Sequence, residues 1–288
     1  MDKNRNEYIK LEAHITAWAA AEPALRALVV VGSRARVEHG ADVWSDLDLI
    51  LFTRDAERYV EDTAWIDQFG TVWARECQRT QAGDPEWLVV YAGGLKVDFF
   101  FAPKTGELSD LLFGGRYAAV AQRGVRVLLD KDSQQPFILP ASAPAKQEKL
   151  TAEEFTAVSQ KFHLYAYRTA MMLRRGDLWR TQTFINNEMR PALLTMLAWH
   201  AQAAHGLDYD TWYDGRFLET WADPRVVAVL PTTFARYAVA DMCRALLALL
   251  DLFGWLMQET AVKWQYAYPR HADTQLIAWI TAVLDQET

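Results

Sequence analysis

At 288 residues, 51% of them hydrophobic, the chain can bury a core without disulfides, as one large or two modest domains. Its formal net charge of −7 argues against a polyanionic partner such as tRNA or DNA, which asks for a basic footprint, and favours a small cationic one. The two cysteines, Cys77 and Cys243, fit neither a disulfide framework nor a metal knuckle. The opening MDKNRNEYIK is not signal-like and no apolar run is long enough to span a membrane, so the expectation is a cytoplasmic protein without nucleic-acid or membrane contacts. Composition leaves monomer and homodimer equally open.

Apolar positions Leu11, Ile15, Trp18 and Ala19 recur at helical spacing, which predicts a helix over 8–21 ahead of Pro23. The run Val29, Val30, Val31 predicts a strand ending at Gly32-Ser33, and after a polar loop Asp46-Leu47-Asp48 opens a second apolar run, Leu49 to Phe52. A helix is expected over 55–69, stopped by Gly70, and a short strand over 71–77. Trp87 to Tyr91 and Leu95 to Phe101 read as a hairpin across Ala92-Gly93-Gly94, and Val125 to Leu129 as a further strand. Pro136, Pro140 and Pro144 then mark an extended linker, which divides the chain into a first domain over 1–135, a linker over 136–150 and a helical domain over 151–288.

In that second half Thr151-Ala152-Glu153-Glu154 is a capping box opening a helix that runs to about Arg175. A second helical pattern covers 178–205, with Pro191 as a kink or break. Asp223-Pro224 reads as an N-cap followed by a first-turn proline, and further helices are expected over 234–257 and 274–284. Trp18, Trp199 and Trp255 sit on apolar helical patterns and read as core, whereas Trp179, Trp212, Trp221 and Trp264 lie among polar residues or near helix ends and include candidates for pocket lining.

The chemistry concentrates at the ends of the first two strands. Side chains two apart on a strand leave the same face, so Asp46 and Asp48 point one way while Leu47 and Leu49 point into the core. Two carboxylates that close repel unless a cation lies between them, and hard oxygen ligands suit Mg2+. Gly32 lets backbone approach a ligand, and the Ser33 hydroxyl with nearby N–H groups can hold phosphate oxygens. Asp98, inside the apolar run Val97 to Phe101, is a charge that must face an opening, a partner or a metal.

Strand, Gly-Ser, spacer, Asp-x-Asp, strand resembles the signature of the nucleotidyltransferase superfamily. Over most of its length the chain resembles a narrower family, the aminoglycoside 6-adenylyltransferases or streptomycin adenylyltransferases, in VVVGSRA with SDLDLILF, WIDQFG, GGLKVDFFFAP, VLLDKD and MRPALLTMLAWH. Two stretches depart from it. Ser45-Asp46-Leu47-Asp48-Leu49 keeps both acids but changes their neighbours, and Leu173-Arg174-Arg175-Gly176-Asp177 looks like an Arg-Gly-acid element found more widely among antibiotic nucleotidyltransferases.

The resemblance implies an α+β fold, a nucleotidyltransferase-type mixed β-sheet with flanking helices followed by a C-terminal α-helical bundle. It implies AMP transfer from ATP to a hydroxyl of a small cationic antibiotic, with Mg2+ held by Asp46, Asp48 and Asp98 and pyrophosphate leaving. Gly32 and Ser33 would meet the terminal phosphates, with Arg34, Arg36 and Lys131 as further phosphate contacts. Asp98 is either the third metal carboxylate or the general base, and Asp177 is the rival base or an acceptor-binding carboxylate. Trp179, Glu188, Tyr213 and Asp214 are candidates for the acceptor lining. The same fold also serves transfer to another small molecule such as a lincosamide, protein adenylylation, and non-catalytic nucleotide binding.

Overall fold

The computed structural model describes residues 2–36, 38–80, 83–114, 117–132, 138–139, 149–268 and 270–285. The chain divides into two compact units, Met1–Ala145 and Lys146–Thr288. Most of the proline-bearing stretch read as a linker, residues 133–137 and 140–148, lies outside the described residues.

The first unit begins with helix α1 (Asp2–Ala21), which delivers the central strand β1 (Leu25–Val31). Strand β2 (Leu47–Thr53) pairs with it antiparallel. The helix expected over 55–69 is instead two single turns, α2 (Arg58–Glu61) and α3 (Ala64–Asp67). Asp62 adopts an extended backbone between them and its carboxylate accepts from the Ala64 N–H at 2.9 Å, the local bond by which Asp competes with a continuing helix. Then come β3 (Val72–Arg79), β4 (Pro85–Tyr91), β5 (Leu95–Pro103) and β6 (Val125–Asp130), with β7 (Ile138–Leu139) as a short edge. The hairpin turn expected at Gly93-Gly94 is present, both glycines having positive φ.

The sheet order is β3-β4-β5-β2-β1-β6-β7, and β2 with β5 is its parallel pair. Both faces of the middle strands are covered. Leu47, Leu49 and Leu51 join Val97, Phe99 and Phe101 in a core closed by Tyr8, Leu11, Ile15 and Ala19 of α1 and by Tyr59, Trp65 and Phe69. Ring contacts knit it: Trp18 stacks on Trp65 with centroids 5.3 Å apart, and Tyr59 on Phe101 at 4.6 Å. The opposite face, Val29, Val31, Ile50 and Phe52, packs on α4 (Leu108–Phe113) and α5 (Ala118–Ala121), two short helices without a strong sequence signal.

The second unit is helical. α6 (Ala152–Arg174) starts at the expected capping box, the Thr151 hydroxyl accepting from the Glu154 N–H while the Glu154 carboxylate accepts from the Thr151 N–H. α7 (Leu178–Phe184) and α8 (Arg190–His205) are joined by a π turn, Ile185–Met189. The break expected at Pro191 is therefore a widened turn just upstream, which gives room to a ring that would otherwise press on the carbonyl four residues back. α9 (Leu218–Trp221) precedes α10 (Pro224–Val229), where the Asp223 carboxylate caps the Arg225 N–H as the sequence pattern implies. The long α11 (Val239–Trp264) begins later and ends later than expected, and α12 (Arg270–Leu284) completes the unit. Phe162 of α6 stacks on Phe253 of α11 inside this second core, and Trp221 and Trp264, read as pocket candidates, are buried. No described helix is long and apolar enough to cross a membrane.

Candidate functional site

The three central strands converge on one point. β1 and β2 set Val31 opposite Asp48, so Gly32 emerges beside that carboxylate, and the parallel register of β2 with β5 sets Asp48 opposite Asp98. Asp46 precedes β2 on the same side as Asp48, and one carboxylate oxygen from each of Asp46, Asp48 and Asp98 lies within 4.8 Å of the others. The arrangement fits a divalent metal: three hard oxygen donors, in a cradle shaped by glycine. At Gly32, φ is +67° and an added Cβ would stand 2.1 Å from Asp48 Oδ2.

Gly32 opens a tight 3-10 turn, Gly32–Arg34, whose carbonyl accepts from the N–H groups of Ala35 and Arg36. Ser33 in this turn is buried, and its hydroxyl has no partner among the described residues. Arg34 donates from Nε to the Asp46 carbonyl at 2.8 Å and from Nη2 to the Ser45 carbonyl at 2.7 Å, with its guanidinium 3.7 Å from the Tyr8 ring centroid. It therefore holds the loop that carries Asp46, sandwiched on α1. Burial lowers its pKa below the ordinary arginine value.

Two residues that the sequence reading passed over complete the group. Lys96 donates to Asp46 Oδ2 at 3.0 Å and to Asp98 Oδ2 at 2.7 Å. Burial works against the Lys96 charge, but these hydrogen bonds outweigh it and hold its pKa above the ordinary lysine value. Burial likewise pushes the Asp98 carboxyl above its ordinary value, against the pull of Lys96, and Asp98 Oδ1 is buried without a hydrogen-bond partner among the described residues. Tyr8 fixes the lysine's backbone, its hydroxyl accepting from the Lys96 N–H at 3.0 Å and donating to the Lys96 carbonyl at 3.3 Å. The signal for Lys96 was available, since it lies two residues before Asp98 and so shares its face of β5.

Beside the turn a cleft of about 590 Å³ is lined by Ser33, Tyr8, the arginines Arg5, Arg34, Arg36 and Arg126, and the acids Glu12 and Asp42. Arg126 is clamped by Glu12 through two bonds of 2.7 and 2.6 Å, and Arg36 donates to the His39 carbonyl. Four arginines against two acids leave the cleft with an excess of positive charge in an acidic chain, which suits it to phosphate oxygens.

Lys131 is not part of the group. It follows β6 beside Arg26, at the start of β1, and its ammonium donates to the Glu22 carbonyl at 2.6 Å. Five residues of extended strand, about 17 Å, separate that end of β1 from Val31, so the structure does not bring Lys131 to the acid triad. The antiparallel β1–β6 register sends the two strand ends apart.

The remaining expected residues belong to the second unit. Asp177 is exposed between α6 and α7, where its backbone carbonyl accepts from Thr181 while its side chain caps nothing. Trp179 is exposed two residues on, and Glu188 is half-buried in the π turn. Tyr213 and Asp214 lie exposed on a short 3-10 turn, with Asp214 at φ 52°.

Curated relatives named aminoglycoside 6-adenylyltransferase come from several bacteria. One from Bacillus subtilis (strain 168) is 24% identical over 260 residues, covering 88% of this chain and 89% of its own, and one from Staphylococcus aureus is 21% identical over 255 residues, covering 86% and 88%. A third, from Campylobacter jejuni, is 22% identical over 260 residues, covering 88% and 87%. A crystal structure of an aminoglycoside 6-adenyltransferase from Bacillus subtilis is a distant likeness, with a TM-score of 0.47 and 18% identity over 96% of this chain and 98% of that one. The model of the streptomycin adenylyltransferase family matches residues 4–283, nearly the whole length, and the chain accordingly belongs to that family and is a transferase.

Proposed function

We propose that the protein transfers AMP from ATP to a hydroxyl of an aminoglycoside, streptomycin-like and at its 6-position, with release of pyrophosphate. The observation that carries this reading is the meeting of Asp46, Asp48 and Asp98 beside Gly32, whose neighbour Ser33 lines a cleft that also holds four arginines. The family membership and the names of the curated relatives support the acceptor class. In this reading residues 1–135 bind the donor and 151–288 the acceptor.

The Ser33 hydroxyl and the guanidinium groups of Arg36 and Arg126 hold the triphosphate oxygens, while Arg34 keeps the Asp46 loop in place. Asp46, Asp48 and Asp98 would hold Mg2+, which would neutralise charge developing on the phosphates. The acceptor hydroxyl oxygen bonds to the α-phosphorus as the bond from that phosphorus to the bridging oxygen breaks, and pyrophosphate takes the electron pair. The hydroxyl proton passes to Asp98 Oδ1, the oxygen of that carboxylate that is buried without a hydrogen-bond partner among the described residues. Asp177, Glu188 and Trp179 serve the acceptor, as carboxylate partners of ammonium groups and as an aromatic cover.

The test is pyrophosphate release by the purified protein with ATP, Mg2+ and a panel of aminoglycosides. Turnover with streptomycin and a loss of at least about 1,000-fold in Asp48→Asn are expected. Silence with every aminoglycoside alongside turnover of a lincosamide would overturn the acceptor, and an unchanged rate in Asp48→Asn would overturn the site.

A further inference from the structure

Three carboxylates this close need a cation among them, and the chain carries one of its own. We propose that Lys96 is the resident counter-cation of the acid triad, and that a divalent metal must displace its ammonium to bind, so that metal alone binds weakly and binds well only together with nucleotide. The inference rests on the reading of Asp46, Asp48 and Asp98 as the metal site.

The geometry separates a fixed frame from a movable charge. Asp48 is boxed by Gly32, where there is no room even for a methyl group, and the Asp98 side chain is only 16% exposed. The backbone of Lys96 is pinned at both its N–H and its carbonyl by the Tyr8 hydroxyl. Its side chain, by contrast, is 40% exposed and flexible, and it reaches the triad with the ammonium alone. It can swing to solvent while the frame stays.

Lys96 occupies Asp46 Oδ2 and Asp98 Oδ2, on two of the three carboxylates that would hold a metal, so ammonium and metal compete. A metal arriving with a polyphosphate brings anionic oxygens that give the displaced ammonium a new partner, and metal arriving alone does not. Lys96 thereby couples the two ligands, and by linkage each tightens the other. This prevents the acid triad from holding metal unproductively before the nucleotide is bound.

The experiment measures Mn2+ binding from the electron-spin-resonance signal of the free ion, first without nucleotide. Lys96→Gln is expected to bind Mn2+ at least tenfold more tightly than the parent protein. Adding a nonhydrolysable α,β-methylene analogue of ATP is expected to tighten Mn2+ binding strongly in the parent and much less in the variant. Equal or weaker Mn2+ binding by Lys96→Gln overturns the inference. In the same assay Asp48→Asn, placed in the Lys96→Gln background, must release the ion. If it does not, the triad is not the metal site and the underlying reading falls with the inference, whereas ion release combined with unchanged affinity in Lys96→Gln sinks the lysine role alone. Should melting curves show Lys96→Gln unfolded, Lys96→Arg, which keeps the charge, is expected to bind Mn2+ no more tightly than the parent, and tighter binding would overturn the proposal.

Discussion

Gly32 answers two demands at once, a left-handed backbone and a neighbour that tolerates no side chain. Its φ of +67° costs an L-residue about 1–2 kcal/mol, and an alanine methyl at 2.1 Å from Asp48 Oδ2 would force that carboxylate out of the triad. Gly32→Ala is therefore expected to fold with stability reduced by about 1–2 kcal/mol and to lose about 100-fold in kcat, as a displacement of about 1 Å can do. Circular dichroism with steady-state kinetics would check both halves. Ser33 makes the opposite prediction, because its hydroxyl has no protein partner among the described residues to lose. Ser33→Ala should leave the urea midpoint nearly unchanged while the KM for ATP rises roughly tenfold, the loss of one hydrogen bond to a charged ligand. At this scale Gly32, Ser33, Asp46 and Asp48 were legible, because one contiguous stretch holds them. Lys96 was legible in principle from the same alternation that pairs the two aspartates, but its contact with Asp46 depends on β5 lying parallel beside β2, a long-range pairing that no local pattern states.

Elements were legible where their signals are local and illegible where tertiary packing decides. The capping box at Thr151 and the cap at Asp223 follow from neighbouring residues alone, and both formed as read. The segment over 55–69 carries helical apolar spacing, yet Tyr59, Trp65 and Phe69 are spent on filling one face of the sheet, with Asp62 breaking the helix between them. Helix α12 shows how one buried carboxylate can hold an element. Asp273 is 6% exposed and sits between the imidazole of His163 on α6 and the hydroxyl of Tyr268, which donates to it. Burial raises the Asp273 pKa, but the bonds from His163 and Tyr268 outweigh this and hold it below the ordinary carboxylate value. A depressed pKa means that the stabilisation is fully present above the unfolded value, about 4, and is lost as pH falls through the folded one. Asp273→Ala should thus cost about 1–3 kcal/mol at neutral pH, and the gap between parent and variant should close as denaturation curves are repeated at progressively lower pH below about 4.

For the whole molecule, charge is distributed in opposition to the two substrates of the proposed reaction. The chain is acidic, at −7, while four arginines line the cleft beside Ser33. A triphosphate is thus attracted at short range, by guanidinium groups that touch it, whereas a polycationic acceptor is attracted at long range by the net field. The two attractions differ in their sensitivity to salt. Partly buried contacts are weakly screened, while a field acting across solvent fades as the Debye length contracts from about 30 Å at 0.01 M to about 8 Å at 0.15 M ionic strength. With Mg2+ and ATP saturating, raising the ionic strength over that range should lower kcat/KM for streptomycin by about tenfold and leave kcat nearly constant, since capture slows while chemistry does not. An uncharged or singly charged acceptor of the same enzyme should show a much flatter dependence. A value of kcat/KM for the polycation that stays level with salt would mean that the acidity of the chain plays no part in capturing its acceptor.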